Sequence, residues 1–133
     1  MDGVPVGILQ AVAARVAAGQ TVQFRPTGSS MAPLIHSRDL VVVAPVNPAK
    51  VEVGDIVLAK VTGTVYLHRV SVVDRGYAQV QISNNRGLVN GWTHHSKIYG
   101  ICVTVAGTPR PGVDGKVAKS ASEAPDPARD VAA

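Results

Sequence analysis

Two residue types in this chain carry the makings of nucleophilic chemistry, and they stand 38 positions apart: Ser30 and His68. Ser30 lies in Thr27-Gly28-Ser29-Ser30-Met31-Ala32-Pro33-Leu34-Ile35. A serine nucleophile needs a sharply turned, accessible backbone with N–H groups nearby to receive an oxyanion. A glycine before it and a proline after it suit such a turn. Gly-Ser-Ser turns are also common as plain loops, so this segment alone does not assign a reaction. His68 interrupts the apolar run Leu67-His68-Arg69-Val70. A histidine there can be a satisfied strand residue, or the general base a serine requires, since its ordinary pKa is about 6.5.

A third segment, Ser83-Asn84-Asn85-Arg86-Gly87 followed by Asn90-Gly91-Trp92, reads first as turns. Its carboxamides could also orient a histidine or hold a peptide backbone. Lys60 stands at a strand end before a turn, which favours exposure. His36, His94 and His95 complete the four histidines, and none has metal-ligand spacing with Cys or a carboxylate, so no metal and no cofactor is expected.

The elements that must position these groups are mostly strands. Ile8, Leu9, Val12 and Val16 recur at helical spacing over residues 6 to 18, with Gly19 placed to end the helix. From Thr21 the period changes to two. Strands are expected at Val22 to Phe24, Leu40 to Val46, Ile56 to Val61, Val65 to Val73, Tyr77 to Ile82 and Ile98 to Val105. Turns fall at Val53-Gly54-Asp55, Thr62-Gly63-Thr64 and Asp74-Arg75-Gly76, and residues 83 to 97 read as a polar loop. After Ala106 the segment is rich in proline and has no aromatic residue, so it cannot bury enough apolar surface to offset the entropy of ordering. The expectation is a single mainly β domain over residues 1–106 with a short N-terminal helix, and a disordered Pro/Ala-rich tail over 107–133.

Composition bounds the function. Hydrophobic residues are 46% of the 133, but aromatics only 4%, so the core must be aliphatic. The net charge of +4 is scattered, with no basic patch or reading motif, which argues against direct nucleic-acid binding. Cys102 is the single cysteine, which excludes an intrachain disulfide and fits a buried, inert thiol in a reducing cytosol. The first twenty residues lack a basic leader and are interrupted by Gln10 and Arg15. No apolar run approaches a bilayer span. A cytoplasmic protein is expected.

Taken together, the segments say more than any one of them. Gly28 to Ile35, Arg38 to Val43, Val53 to Val57 and His68 to Val70 follow the order of motifs in a known superfamily. The chain resembles the signal-peptidase/LexA-like serine peptidases over residues 21 to about 105. His68-Arg69 is similar to the histidine branch of signal peptidases, and the want of a membrane anchor is similar to repressor-type and phage-encoded relatives.

The resemblance implies that Ser30 attacks a scissile carbonyl while His68 takes its proton. It also implies oxyanion donors at the Ser30 N–H and at Ser29, substrate contact at Met31 and Pro33, and small residues at the cleavage positions. The substrate would be an extended peptide or protein segment on a strand edge. Relatives place aspartates where this chain has Asn84 and, six positions on, Asn90. Asparagine can orient the histidine but brings no charge, so slow or dedicated cleavage is expected.

An alternative of a different class is a peptidase-fold module that binds a peptide or partner protein without turnover. A third reading is a repressor fragment cleaving its own Ala18-Gly19 bond, which lies only twelve residues before Ser30. The resemblance leaves room for a homodimer, although no surface pattern in the sequence marks one.

Overall fold

The structure, a computed structural model, describes residues 6–118. Helix α1 (Val6–Ala17) places Val12, Ala13 and Val16 on one buried stripe, as the helical spacing requires. It ends in a left-handed Gly19 (φ +97°), with the Gly19 N–H bonded to the Val16 carbonyl and the Gln20 N–H to that of Arg15. These two bonds satisfy carbonyls that the helix end leaves open.

Among the described residues eight strands follow: β1 (Val22–Phe24), β2 (Val41–Pro45), β3 (Ile56–Val61), β4 (Thr64–Asp74), β5 (Gln79–Ser83), β6 (Val89–His94), β7 (Ile98–Val105) and β8 (Thr108–Pro109). They form one antiparallel sheet in the order β1-β2-β7-β3-β4-β5-β6, with β8 paired to β7. The expected mainly β fold with an N-terminal helix is what the chain adopts.

The sheet has apolar side chains on both faces. On one face α1 covers Ile56 and Leu58 of β3 together with Phe24, Val43 and Leu67. On the other, Val57, Ala59 and Val61 of the same strand pack with Val70, Val80 and Ile82. Strand β3 is therefore apolar at nearly every position because both of its faces are buried. The two-residue link Thr62-Gly63 has positive φ at both positions (47° and 85°), the primed turn whose twist matches a tight hairpin. It fixes the β3–β4 register, with Val57 opposite His68.

Two expectations are corrected here. The stretch 83–97 is not all loop: β6 occupies Val89–His94, paired with β5 over Gln79–Ser83. Its sequence, with Asn90, Gly91 and His94, hides the strand, because backbone pairing at a sheet edge does not require an apolar face. Residues 107–118, assigned to the tail, carry β8 and a bridge between Val46 and Val117. They also hold the buried Lys116, whose Nζ lies 2.8 Å from Asp55 Oδ2 and 2.8 Å from Glu52 Oε1. These ion pairs, the packing of Val113 and Val117 on the core, and backbone bonds from the Asn47 N–H to the Lys116 carbonyl and from the Ala118 N–H to the Pro45 carbonyl hold the segment to the domain. Residues 119–133 of the expected tail lie outside the described residues.

Candidate active site

The serine loop, residues 25 to 40, links β1 to β2. It is a compact turn: the Ala32 N–H bonds the Ser29 carbonyl, the Ile35 N–H that of Met31, and the Arg38 N–H that of Pro26. Met31 and Ile35 anchor it in the core under α1. Ser30, one residue from the Met31 anchor, is held partly exposed at the surface.

His68 sits in the middle of β4 and is 8% exposed. Its Nε2 is 3.1 Å from Ser30 Oγ, and its Nδ1 is 2.7 Å from Asn90 Oδ1. The second contact sets the tautomer. A carboxamide oxygen can only accept, so Nδ1 carries the proton, and Nε2 is left with a lone pair to accept from the Ser30 hydroxyl. The Tyr66 ring stacks on the imidazole (centroids 4.9 Å apart, 25° between planes). Burial pushes the His68 pKa below its ordinary value near 6.5, against the smaller opposing effect of the Asn90 hydrogen bond. The neutral, proton-accepting form therefore prevails at pH 7.

A β-bulge delivers Asn90 to this line. Ile82 pairs with Gly91 and Ser83 with Val89, so Asn90 is the extra residue on β6. A bulge re-aims the side chain of its extra residue, and here that side chain meets His68. Strand β6 also folds back over β3, tied by the Thr93 hydroxyl donating to the Lys60 carbonyl at 2.6 Å.

Asn84 serves differently from its expected role as an orienting group. Its carboxamide oxygen accepts from the backbone N–H of Arg86 (2.8 Å) and of Leu88 (3.0 Å), so it shapes its own loop rather than the histidine. That loop then clamps the serine turn. The Asn85 N–H donates to the Ser30 carbonyl (2.8 Å), its side-chain amide to the Ala32 carbonyl (3.0 Å), and Arg86 Nε to the Ser29 carbonyl (3.1 Å). Arg69 closes the arrangement by donating to the Asn84 carbonyl at 3.0 Å. Tyr66 and Arg86 are not legible as site residues in the sequence, and Asn85 is so only as one of the turn carboxamides. The Asn-Asn-Arg run was the available signal, but its direction of contact depends on the fold.

Residues 7–90 match the family model described as Peptidase S24-like. The chain belongs to the peptidase S24-like family. No curated protein and no solved structure gives a match. The fold of this S24-like chain is thus the signal-peptidase/LexA-like β fold expected from its motifs.

The S24-like site opens into two connected spaces. A cavity of about 80 Å³ beside Ser30 and His68 is walled by Leu9, Met31, Ile35, Tyr66 and Leu67. This is about half of the roughly 150 Å³ that holds a benzene ring, which is room for a small aliphatic side chain. A longer groove runs past Ser30 between Leu9 and Gln10 of α1 on one side and Arg86 and Leu88 on the other. Of the two residues assigned to substrate contact, Met31 is core and cavity wall together, whereas Pro33 is exposed and lines neither space. Ser29 is exposed on the groove.

Lys60 lines a separate depression with Ala13, Ala17 and Tyr99 and does not border the Ser30 groove. Cys102 is fully buried, and burial pushes its thiol up to about 12, which leaves it without a nucleophilic thiolate near neutral pH. Among the described residues no group of His, Cys, Asp and Glu is placed to hold a metal ion, and no helix is long and apolar enough to cross a membrane.

Proposed function

We propose that this S24-like chain is a serine endopeptidase in which Ser30 is the nucleophile and His68 the general base. The observation that carries the reading is the hydrogen-bonded line Ser30 Oγ–His68 Nε2 and His68 Nδ1–Asn90 Oδ1 at 3.1 and 2.7 Å. Ser30 Oγ attacks the scissile carbonyl carbon as its proton passes to Nε2, and the carbonyl oxygen becomes the oxyanion. The Ser30 N–H and the Ser29 hydroxyl are the donors proposed for it. The tetrahedral intermediate collapses as the leaving amine takes the proton from Nε2. Water then hydrolyses the acyl-enzyme through the same base. Asn90 holds the productive tautomer but offers the imidazolium no countercharge, which fits slow turnover on a dedicated substrate. The substrate is a peptide segment with a small residue in the 80 Å³ cavity.

Self-cleavage at Ala18–Gly19 in the same molecule has no support in the geometry. Leu9 borders the site, while Ala18 lies nine residues farther, just past the end of α1, about 13 Å by helical rise. The bond is also held in the helix-terminating turn.

The test is labelling with a fluorophosphonate probe between pH 5 and 9, with Ser30→Ala and His68→Ala alongside. Labelling that rises as His68 loses its proton, with a midpoint below pH 6.5, and that is lost in both variants supports the dyad. A folded wild-type protein that takes no label favours the second reading, a binding module without turnover. The observation favouring that second reading is the uncharged Asn90 at the position next to the base. The S24-like family includes non-catalytic repressors as well.

A further inference from the structure

We infer that Arg86 makes this groove selective for peptides carrying a carboxylate next to the segment held at Ser30; the inference rests on the peptide-binding reading of the groove given above. Among the described residues that line the groove, Arg86 is the one with a permanent charge, and none is a carboxylate. The other walls are neutral: Leu9, Val65, Tyr66 and Leu88 are apolar or aromatic, and His68 is held in its neutral form. An extended peptide crossing this surface therefore meets one fixed positive charge in an otherwise uncharged channel.

The guanidinium is preorganised. Arg86 Nε donates to the Ser29 carbonyl at 3.1 Å, and the Arg86 backbone N–H is bound by Asn84 Oδ1 at 2.8 Å. Anchored at Nε, the planar head keeps its two Nη groups for a ligand, one peptide unit away from Ser30. Such a fork matches a carboxylate with two parallel hydrogen bonds. Because head and loop are already ordered, little side-chain freedom is lost on binding. A Glu or Asp side chain of the substrate, or a terminal carboxylate, supplies this chemistry; a Gln or Asn of the same shape does not supply the charge.

Binding rather than cleavage is the readout. Full-length Ser30→Ala protein is titrated by fluorescence anisotropy with peptides that keep one small residue for the cavity and carry Glu or Gln at each flanking position in turn. One peptide set ends in a free carboxylate and another in an amide, which separates the two carboxylate sources. The expected result is one position, or the free terminus, at which the carboxylate binds about 5- to 10-fold tighter, with the preference shrinking at high salt. In a Ser30→Ala, Arg86→Gln background that ratio falls to about one. Arg86→Glu turns the preference toward Lys peptides. If Arg86 only braces the serine loop, its loss weakens Glu and Gln peptides alike and leaves the ratio unchanged, which overturns the inference. An absent carboxylate preference in the parent, or no binding of any peptide, overturns it as well. Selective binding by a protein whose wild type takes no fluorophosphonate label would leave the inference standing and remove the endopeptidase reading. Cleavage by wild type of Glu and Gln peptides at equal rates would do the reverse.

Discussion

Replacing Asn90 by aspartate tests the account of the base most directly. The Asn90 oxygen is 2.7 Å from His68 Nδ1, so the variant puts a full negative charge in the place of a neutral acceptor with almost no change in shape. At that distance the gross attraction for an imidazolium is about 6 kcal/mol at an effective dielectric constant near 20. Desolvation of the new carboxylate offsets part of it, and the hydrogen bond it replaces already contributes. What remains is the usual effect of an adjacent opposite charge, which raises a pKa by about 1–3, or about 1.4–4 kcal/mol favouring the protonated ring.

Two outcomes follow from that shift. The pH at which His68 loses its proton moves upward from its depressed position, so the acid limb of the labelling profile moves to higher pH. Above the new midpoint, where the ring is neutral in both proteins, the labelling rate rises about 10- to 100-fold, because the transition state carries part of the imidazolium charge. The gain stays below the roughly 10⁴ lost when the carboxylate of a serine-protease triad is amidated, since that loss includes a wrong tautomer. Here Asn90 Oδ1 already holds the correct one. The assay is the second-order rate of fluorophosphonate labelling from pH 5 to 9, paired with the His68 titration by imidazole NMR. An Asn90→Asp protein with an unmoved His68 titration would falsify the proposed Nδ1 contact. A raised pKa with no gain in rate would show that imidazolium charge is not what limits the reaction.

Three further outcomes rest on separate parts of the structure. Tyr66→Ala uncovers the imidazole face, and because burial is the leading cause of the low His68 pKa, the NMR titration should move up toward 6.5; an unchanged midpoint refutes the shielding role of the ring. Lys116→Met leaves the buried Asp55 without its cation, and denaturant unfolding should show a loss of about 3–5 kcal/mol; Glu52→Gln, at an exposed carboxylate, should leave stability nearly unchanged. Equal effects of the two would mean that the charge pair does not anchor residues 107–118. Gly100→Ala puts a Cβ 2.6 Å from Val16 Cγ1, 2.7 Å from Val43 Cγ1 and 2.8 Å from the Ala44 carbonyl oxygen. The backbone oxygen cannot swing aside, so calorimetry should record destabilisation of about 1–3 kcal/mol; a neutral result would mean that α1 does not press on β7 there.

Elements with strong local signals are legible from residue order alone. The α1 stripe, the Gly19 stop, strands β3 and β7 and the Thr62-Gly63 hairpin all follow from periodicity and turn chemistry acting over a few residues. The ordered motifs around Ser30 and His68 pointed to the family, because a nucleophile turn and a base strand each leave a short, readable pattern. The tertiary structure decided what depends on contacts between distant segments. Strand β6 is an edge whose pairing needs only backbone groups, so its polar sequence concealed it. The division of labour between Asn84 and Asn90 followed from a one-residue bulge, which turned one carboxamide to the histidine and left the other to its own loop. Residues 107–118 likewise join the domain in part through Lys116, whose partners stand more than sixty positions away at Asp55 and Glu52. Composition could not show this, because the anchoring comes from where one charge, two valines and a few backbone groups are placed against distant segments, which a sparse apolar count does not reveal.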